Sequence, residues 1–158
     1  MITVRRFRPA DAPTVWALNN VPPLGATADD SVPLALPPES TPPVAFPDLG
    51  DIAGSFLEFL VVETDGHLVG MGGLKPRSDT HAEVLRVRVH PAVRRRGVGR
   101  ALLAALEDRA AELGFRGMFL DTTTNQPEVV AFYRGLGYTE AGRSTFPHWT
   151  LVYFTKEL

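Results

Sequence analysis

A chain of 158 residues with 44% hydrophobic and 22% charged side chains has the size and make-up of one globular domain able to bury its own core. Its net charge of −2 gives no general attraction to nucleic acid or to a membrane surface, and with no Cys it has no disulfide framework, no thiolate zinc site and no thiol nucleophile. The four His residues (His67, His81, His90 and His148) stand at no metal-ligand spacing, so no metal is expected. No apolar run reaches membrane-spanning length and Met1 to Arg5 does not read as a secretory leader, which leaves the cytoplasm as the expected compartment.

Ile2 to Phe7 alternates apolar and basic residues, as a half-buried first strand does. Asp11 stands where it can cap a short helix through Leu18, with Pro13 in the first turn. From Val21 to Asp51 the chain carries eight prolines (Pro22, Pro23, Pro33, Pro37, Pro38, Pro42, Pro43 and Pro47), which rule out a long regular element. Leu34, Leu36, Val44 and Phe46 are scattered through this stretch, so an ordered flap is expected rather than a tether. A short helix follows over 51–57. Residues 59–63, the Asp65-Gly66 turn and residues 67–71 form a hairpin pattern, and Gly70, Gly72 and Gly73 indicate a bulge or a close approach to its second strand. Ala82 to His90 is the next strand, stopped by Pro91.

Gly97 to Leu113 reads as a helix whose stripe is Val98, Leu102, Leu106 and Leu113, with Ala101, Ala105 and Ala110 between, ended by Gly114. Phe115 to Asp121 is a strand, Pro127 to Leu136 a helix closed by Gly137, and 138–142 and 150–155 are the closing strands. The result is one domain over 1–158, an α/β (α+β) mixed sheet with helices packed on it and no internal repeat.

The segment from Leu85 to Leu102 carries the chemistry. An apolar strand enters a short basic loop, and the loop opens directly into a helix. The first amides of a helix lack intrahelical partners and stand at the positive end of its dipole. Gly97 and Gly99 withdraw side chains that would keep an anion from those amides, and Arg94, Arg95, Arg96 and Arg100 add positive charge around them. The combination suits a diphosphate. A basic helix start without a ligand is the plainer reading, because arginine runs are usually solvated. The strand before, the periodic helix after and the confinement of glycine to the first turn favour the ligand. The loop lacks the Lys-Ser/Thr ending of a nucleotide P-loop and the third glycine of a dinucleotide fingerprint.

Arg94-Arg95-Arg96-Gly97-Val98-Gly99 resembles the Gln/Arg-x-x-Gly-x-Gly/Ala loop of the GNAT-superfamily N-acetyltransferases. Ala131-Phe132-Tyr133-Arg134-Gly135-Leu136-Gly137-Tyr138 resembles that family's second motif, a Tyr followed by a short spacer and Gly-aromatic. The resemblance runs from Phe59 to Tyr138 and leaves the Pro-rich flap outside. It implies a mostly antiparallel twisted sheet of roughly six or seven strands flanked by about four helices. It also implies acetyl-CoA as co-substrate, its pyrophosphate on the amides of Arg95 to Arg100, Val98 included. The pantetheine arm would lie along the preceding strand at Val87 and Val89, whose spacing of two turns their free backbone groups to one side. As side chains these remain core valines.

Acyl transfer to an amine needs a neutral amine, a proton for the leaving thiolate and support for an oxyanion. By the resemblance Tyr133 is the leading acid, and Phe132 beside it reads as core. Glu83 is the leading base, near the start of the central strand, where a solvated edge charge is the equally weighted alternative; Glu58, Glu63 and His81 are weaker candidates. Where the family often places an Asn to contact pantetheine, this chain has Gln126, with Asn125 one position earlier; either could instead cap the helix.

The acceptor is expected to enter over the flap and the C-terminal hairpin, where Phe146, His148, Trp149 and Tyr153 cluster; filling between closing strands is the plainer role for Trp149 and Tyr153. Acidic Asp29, Asp30, Glu39 and Asp48 on the flap favour a cationic amine, whether small molecule, peptide or protein. Two rival functions are a non-catalytic coenzyme A-binding module of the same fold, and nucleic-acid binding through the arginines, which the near-neutral remainder of the chain disfavours. Exposed ends of a mixed sheet leave a homodimer open.

Overall fold

The computed structural model describes residues 1–21, 28–123 and 126–158. Among them lie β1 (Thr3–Arg6), α1 (Ala12–Leu18), α2 (Ile52–Ser55), β2 (Glu58–Thr64), β3 (His67–Pro76), β4 (His81–Val89), α3 (Val98–Glu112), β5 (Gly117–Thr123), α4 (Pro127–Gly135), β6 (Thr139–Thr145) and β7 (Thr150–Glu157). The order is the expected one, with shifted ends. β3 runs on to Pro76, and β5 starts late because the amides of Phe115 and Arg116 bond back to Ala110 and Thr80. Asp65 and Gly66 both take positive φ, 50° and 78°, giving the tight hairpin turn whose twist suits the flanking strands. Asp11 does not cap α1 through its side chain. Its carboxylate instead accepts from the Arg5 guanidinium at 2.8 and 2.9 Å and from the Arg8 amide at 2.7 Å. A half-buried arginine outcompetes the helix amides for it.

The seven strands form one sheet in the order β1-β2-β3-β4-β5-β7-β6, antiparallel throughout except between β4 and β5. Two apolar layers cover its faces. On one side Val98, Leu102, Leu103, Leu106 and Ala110 of α3 pack against Val62, Val69, Val87 and Val89, with Tyr133 of α4 in the same cluster. Leu103 replaces Leu113 in the expected stripe, since Leu113 sits past the end of the helix and is exposed. On the other side Val15 and Leu18 of α1 and Ile52 of α2 pack against Val61, Leu68 and Met71. A Cβ on Gly70 would meet Val98 at 3.0 Å, and one on Gly72 would meet Leu102 and Leu106 at 3.3 Å. Close seating of α3 explains those glycines.

The β3–β4 register also slips between Met71 and Gly73, which puts one extra residue into β4. Arg86 at this bulge takes φ 59°, a left-handed conformation costly for a side chain with a Cβ. It is held from the flap. Asp48 accepts from Arg86 at 3.0 and 3.2 Å and from Lys75 at 2.8 Å, and the Arg86 guanidinium lies 4.5 Å from the centre of the Phe46 ring.

The described part of the flap, 28–51, is ordered as expected, and Pro22 and Pro23 lie outside the described residues. Leu34, Leu36 and Phe46 pack against the core, whereas Val44 is fully exposed. The buried His90 ring locks the flap to the end of β4. Its Nδ1 accepts from the Ala92 amide at 3.0 Å, so Nε2 carries the proton and donates to the Pro33 carbonyl at 2.8 Å. Burial pushes the His90 pKa down. A group that folding holds neutral contributes stability above its unfolded pKa of about 6.5 and loses it as pH falls below that value. The melting temperature of the native chain should therefore fall toward that of a His90→Gln variant between about pH 7.5 and about pH 5. A constant gap between the two melting curves would remove His90 as the cause.

Candidate active site

β4 and β5 pair only over His81–Gly117, Ala82–Met118 and Glu83–Phe119. Beyond Glu83 the bulged β4 diverges from β5, so the β4 edge from Val84 to Val89 has no strand partner on that side among the described residues. The opening is a cleft of about 190 Å³ lined by Glu83, Val87, Arg88, Asp121, Gln126 and Tyr133 among others. An extended arm with alternating amide donors and acceptors fits such an unpaired edge.

At the far end of β4, Pro91–Val93 makes one 3-10 turn, Arg95 takes φ 62°, and Gly97 takes φ 84° at the start of α3. No side chain caps α3, and a Cβ on Gly97 would meet nothing within 4 Å. The first intrahelical bond is Ala101 N–H to Gly97 O at 3.0 Å, which leaves the Val98, Gly99 and Arg100 amides without helical partners. They border a second cleft of about 470 Å³, closed on its other side by Glu128, Ala131 and Phe132 of α4. An anion drawn to the helix dipole meets those amides there, with exposed Arg95 and Arg100 beside them. These residues fit the coenzyme's diphosphate.

The four arginines do not act alike. Arg94 is buried rather than mobile, and burial pushes its pKa down. Arg96 lines a separate depression with Ile2, Asp30 and Leu34. Only Arg95 and Arg100 are both exposed and at the α3 cleft, and Arg95 approaches Glu128 across its mouth at 3.8 Å. The chain's alternation had no way to show that the loop turns over at Arg95.

Tyr133 is 5% exposed, edge-on to Phe132 and Tyr138 at 5.2 and 5.8 Å, and its hydroxyl has no hydrogen-bond partner among the described residues. Burial drives its pKa well above the usual phenol value, the Arg88 charge pulls it down and the Asp121 charge adds to the rise. Phe132 is half-buried and borders the α3 cleft as well as the core. Glu83 is half-buried in the β4–β5 cleft with no ion pair at contact distance among the described residues. Burial raises its pKa first and Asp121 second, against Arg77, Lys75 and Arg86.

The weaker base candidates are engaged elsewhere. Glu58 accepts from Arg109 at 2.7 Å and Glu63 from Arg5 at 3.0 Å, while His81 holds Thr80 at 2.8 Å. Gln126 lines the β4–β5 cleft and does not cap α4 through its side chain; Asn125 lies outside the described residues. Trp149 is not filling between strands. It is exposed at the β6–β7 turn, stacked on Phe146 at 4.1 Å, with His148 exposed between them. Tyr153 stacks on Phe119 at 5.8 Å and bonds Ser144 at 2.6 Å.

Sequence reasoning missed Asp121, and it placed Arg88 only among the arginines of the nucleic-acid alternative. Asp121 alternates with Phe119, and Phe119 is the β5 residue opposite Glu83, so parallel pairing brings both carboxylates into the lining of one cleft. That pairing was the signal that could have found it. Among the described residues no group of three His, Asp or Glu side chains converges as metal ligands, and no helix is long and apolar enough to cross a membrane.

A twisted sheet split between two parallel strands, with an uncapped helix at the mouth of the split, is the fold of solved acetyltransferases. The chain superimposes along its whole length on a GNAT-family acetyltransferase of Staphylococcus aureus Mu50, with a TM-score of 0.78 at 17% identity and 99% of that chain covered. It superimposes over 99% of its length on a phosphinothricin acetyltransferase of Sinorhizobium meliloti solved with AcCoA, with a TM-score of 0.73 at 22% identity and 88% of that chain covered. Residues 30–138 match the family model described as Acetyltransferase (GNAT) family, and the chain belongs to that family. It is 33% identical over 96 residues to the IAA acetyltransferase of Azospirillum brasilense, covering 60% of this chain and 63% of that protein. It is 31% identical over 112 residues to human N-acetyltransferase 8, covering 65% of this chain and 49% of that one. The chain thus spans about half to two thirds of the length of these curated relatives.

Proposed function

We propose that the protein transfers an acetyl group from acetyl-CoA directly to a primary amine, both substrates being bound together. The observation that carries this reading is the β4–β5 cleft, which joins an unpaired strand edge to Glu83 on one side and Tyr133 on the other. The coenzyme supplies the activated acetyl thioester. Arg95 to Arg100 hold its diphosphate, and the β4 edge at Val87 and Val89 lines up its arm. Glu83 takes the proton from the ammonium group, and the Tyr133 hydroxyl gives a proton to the departing sulfur. With no Cys in the chain there is no thiol to form an acyl-enzyme, which favours direct attack by the amine.

The test is release of free coenzyme A thiol from acetyl-CoA across a panel of amines. Acetylated amine in step with thiol is expected; tight coenzyme binding without amine-dependent thiol release would mark a binding module. The base has its own prediction. Because burial and Asp121 raise the Glu83 pKa, the acid limb of kcat/KM should lie above the ordinary carboxylate range. Asp121→Asn should move that limb to lower pH, and Glu83→Gln should push the optimum upward, toward the acceptor's own pKa. A pH profile indifferent to both changes would dismiss Glu83.

A further inference from the structure

Arg88 lines the β4–β5 cleft and acts on the Tyr133 hydroxyl through its charge, yet no contact among the described residues neutralises it. It sits opposite Met71 across the β3–β4 register, and Met71 is buried under α1, so Arg88 stands on the flap face of the sheet. Glu83 sits opposite Lys75, whose Nζ bonds Asp48 of the flap, which places Glu83 on that face too. The other cations nearby are accounted for. Arg86 and Lys75 share Asp48, and Arg77 lies 4.2 Å from the centre of the Phe119 ring. Arg88 has no carboxylate at ion-pair distance among the described residues. One nitrogen donates to the Val87 carbonyl at 2.9 Å, and its Nε is buried with no acceptor.

A guanidinium has five donors and cannot shed its charge in a protein, so a partly buried one with a single backbone bond is an anion site wanting its anion. The coenzyme's diphosphate is the wrong anion. Arg88 lines the cleft of Glu83 and Tyr133 and not the cleft at the start of α3. Glu83 and Asp121 line the same cleft, with no ion pair at contact distance among the described residues, although the charges of Arg77 and Arg86 act on both. The cleft thus carries charges of both signs. Glu83 and Asp121 are carboxylates without an ion pair, and Arg88, five residues along β4 from Glu83, is a cation without a carboxylate, while Arg86 is taken up by Asp48.

Resting on the acetyltransferase reading, we infer that the acceptor is an amine carrying its own carboxylate, with Arg88 taking the carboxylate while Glu83 and Asp121 receive the ammonium group. The carboxylate supplies the acceptors that the Arg88 guanidinium lacks, in the bidentate form that suits its planar fork. Arg86 and Arg94 add positive potential at Arg88, and both oppose the Arg88 charge until an anion arrives. The carboxylates of Glu83 and Asp121 repel each other until an ammonium separates them. An amine without an acid group satisfies only half of this site.

The experiment compares matched acceptors: α- and ω-amino acids, each beside its amide and its decarboxylated amine, with acetyl-CoA and the native protein. The acid-bearing member of at least one series should be favoured about 30-fold or more in kcat/KM. In Arg88→Gln that ratio should fall close to one through a rise in KM for the acid, and Arg88→Lys should keep part of it. Equal or better turnover of the amides and decarboxylated amines in the native protein overturns the inference and leaves the acetyltransferase reading standing. So does a ratio unchanged in Arg88→Gln. Failure of every amine while coenzyme A still binds overturns it as well, and loss of coenzyme binding in the native protein marks failure of the underlying reading instead. The native comparison stands whether or not the Arg88 variants fold.

Discussion

Gly99→Trp should weaken coenzyme A binding by about 100-fold or more, on the order of 2.7 kcal/mol, while the chain remains folded. Gly99 lies in the first turn of α3, where its amide is one of three without an intrahelical partner, and it borders the cleft of about 470 Å³. Gly99 is itself buried, but it borders the cleft, and Val98, Leu102 and Leu106 bear the packing of α3 on the sheet. What an indole there removes is access. An anion would have to stand off from the amides by the thickness of a ring, which is beyond hydrogen-bond distance. Equilibrium dialysis or calorimetry reads the loss, and a melting curve checks the fold. Arg100→Glu is the companion variant: it is exposed, adds no bulk, and should cost about tenfold with strong dependence on salt. Native-like affinity in both variants would mean that the diphosphate is held elsewhere.

The contrast between this loop and the cleft shows what a sequence can carry. Strand, loop and helix around Gly97 are local: residues 85–102 hold the whole pattern, so the uncapped helix start was legible from spacing alone. The direction of each arginine was not. Arg95 reverses the chain at φ 62°, which buries Arg94 and sends Arg96 into a different depression. The β4–β5 cleft is less legible still, because it is made by pairing that stops at Glu83 and by a bulge at Arg86 whose cause, Asp48, lies 38 residues away. Long-range contacts of this kind leave no periodicity. Leu34, Leu36 and Phe46 marked the described part of the flap as a segment that packs on the core, and its fastening was not legible, since His90 to Pro33 and Arg86 to Asp48 join residues far apart in the chain. Asp121 is hidden for the same reason: nothing marks it until β5 is known to lie parallel to β4.

Tyr133→Phe should lower kcat by about 100-fold while leaving coenzyme A affinity nearly unchanged. The ring is fixed by aromatic neighbours on several sides, with Phe154 at 6.5 Å beyond Phe132 and Tyr138, and those contacts survive the substitution. The hydroxyl bonds no described residue, so its removal orphans no partner and should cost little stability. A phenol kept protonated by burial is a competent proton donor at neutral pH, and the positive charge on Arg88 eases the phenolate left behind. Loss of this donor should matter most when the leaving thiolate is basic. An acetyl thioester of a more acidic thiol should therefore narrow the gap between native and variant, whereas a packing defect would penalise both thioesters alike. Equal falls in kcat and in coenzyme affinity would reduce Tyr133 to a core aromatic.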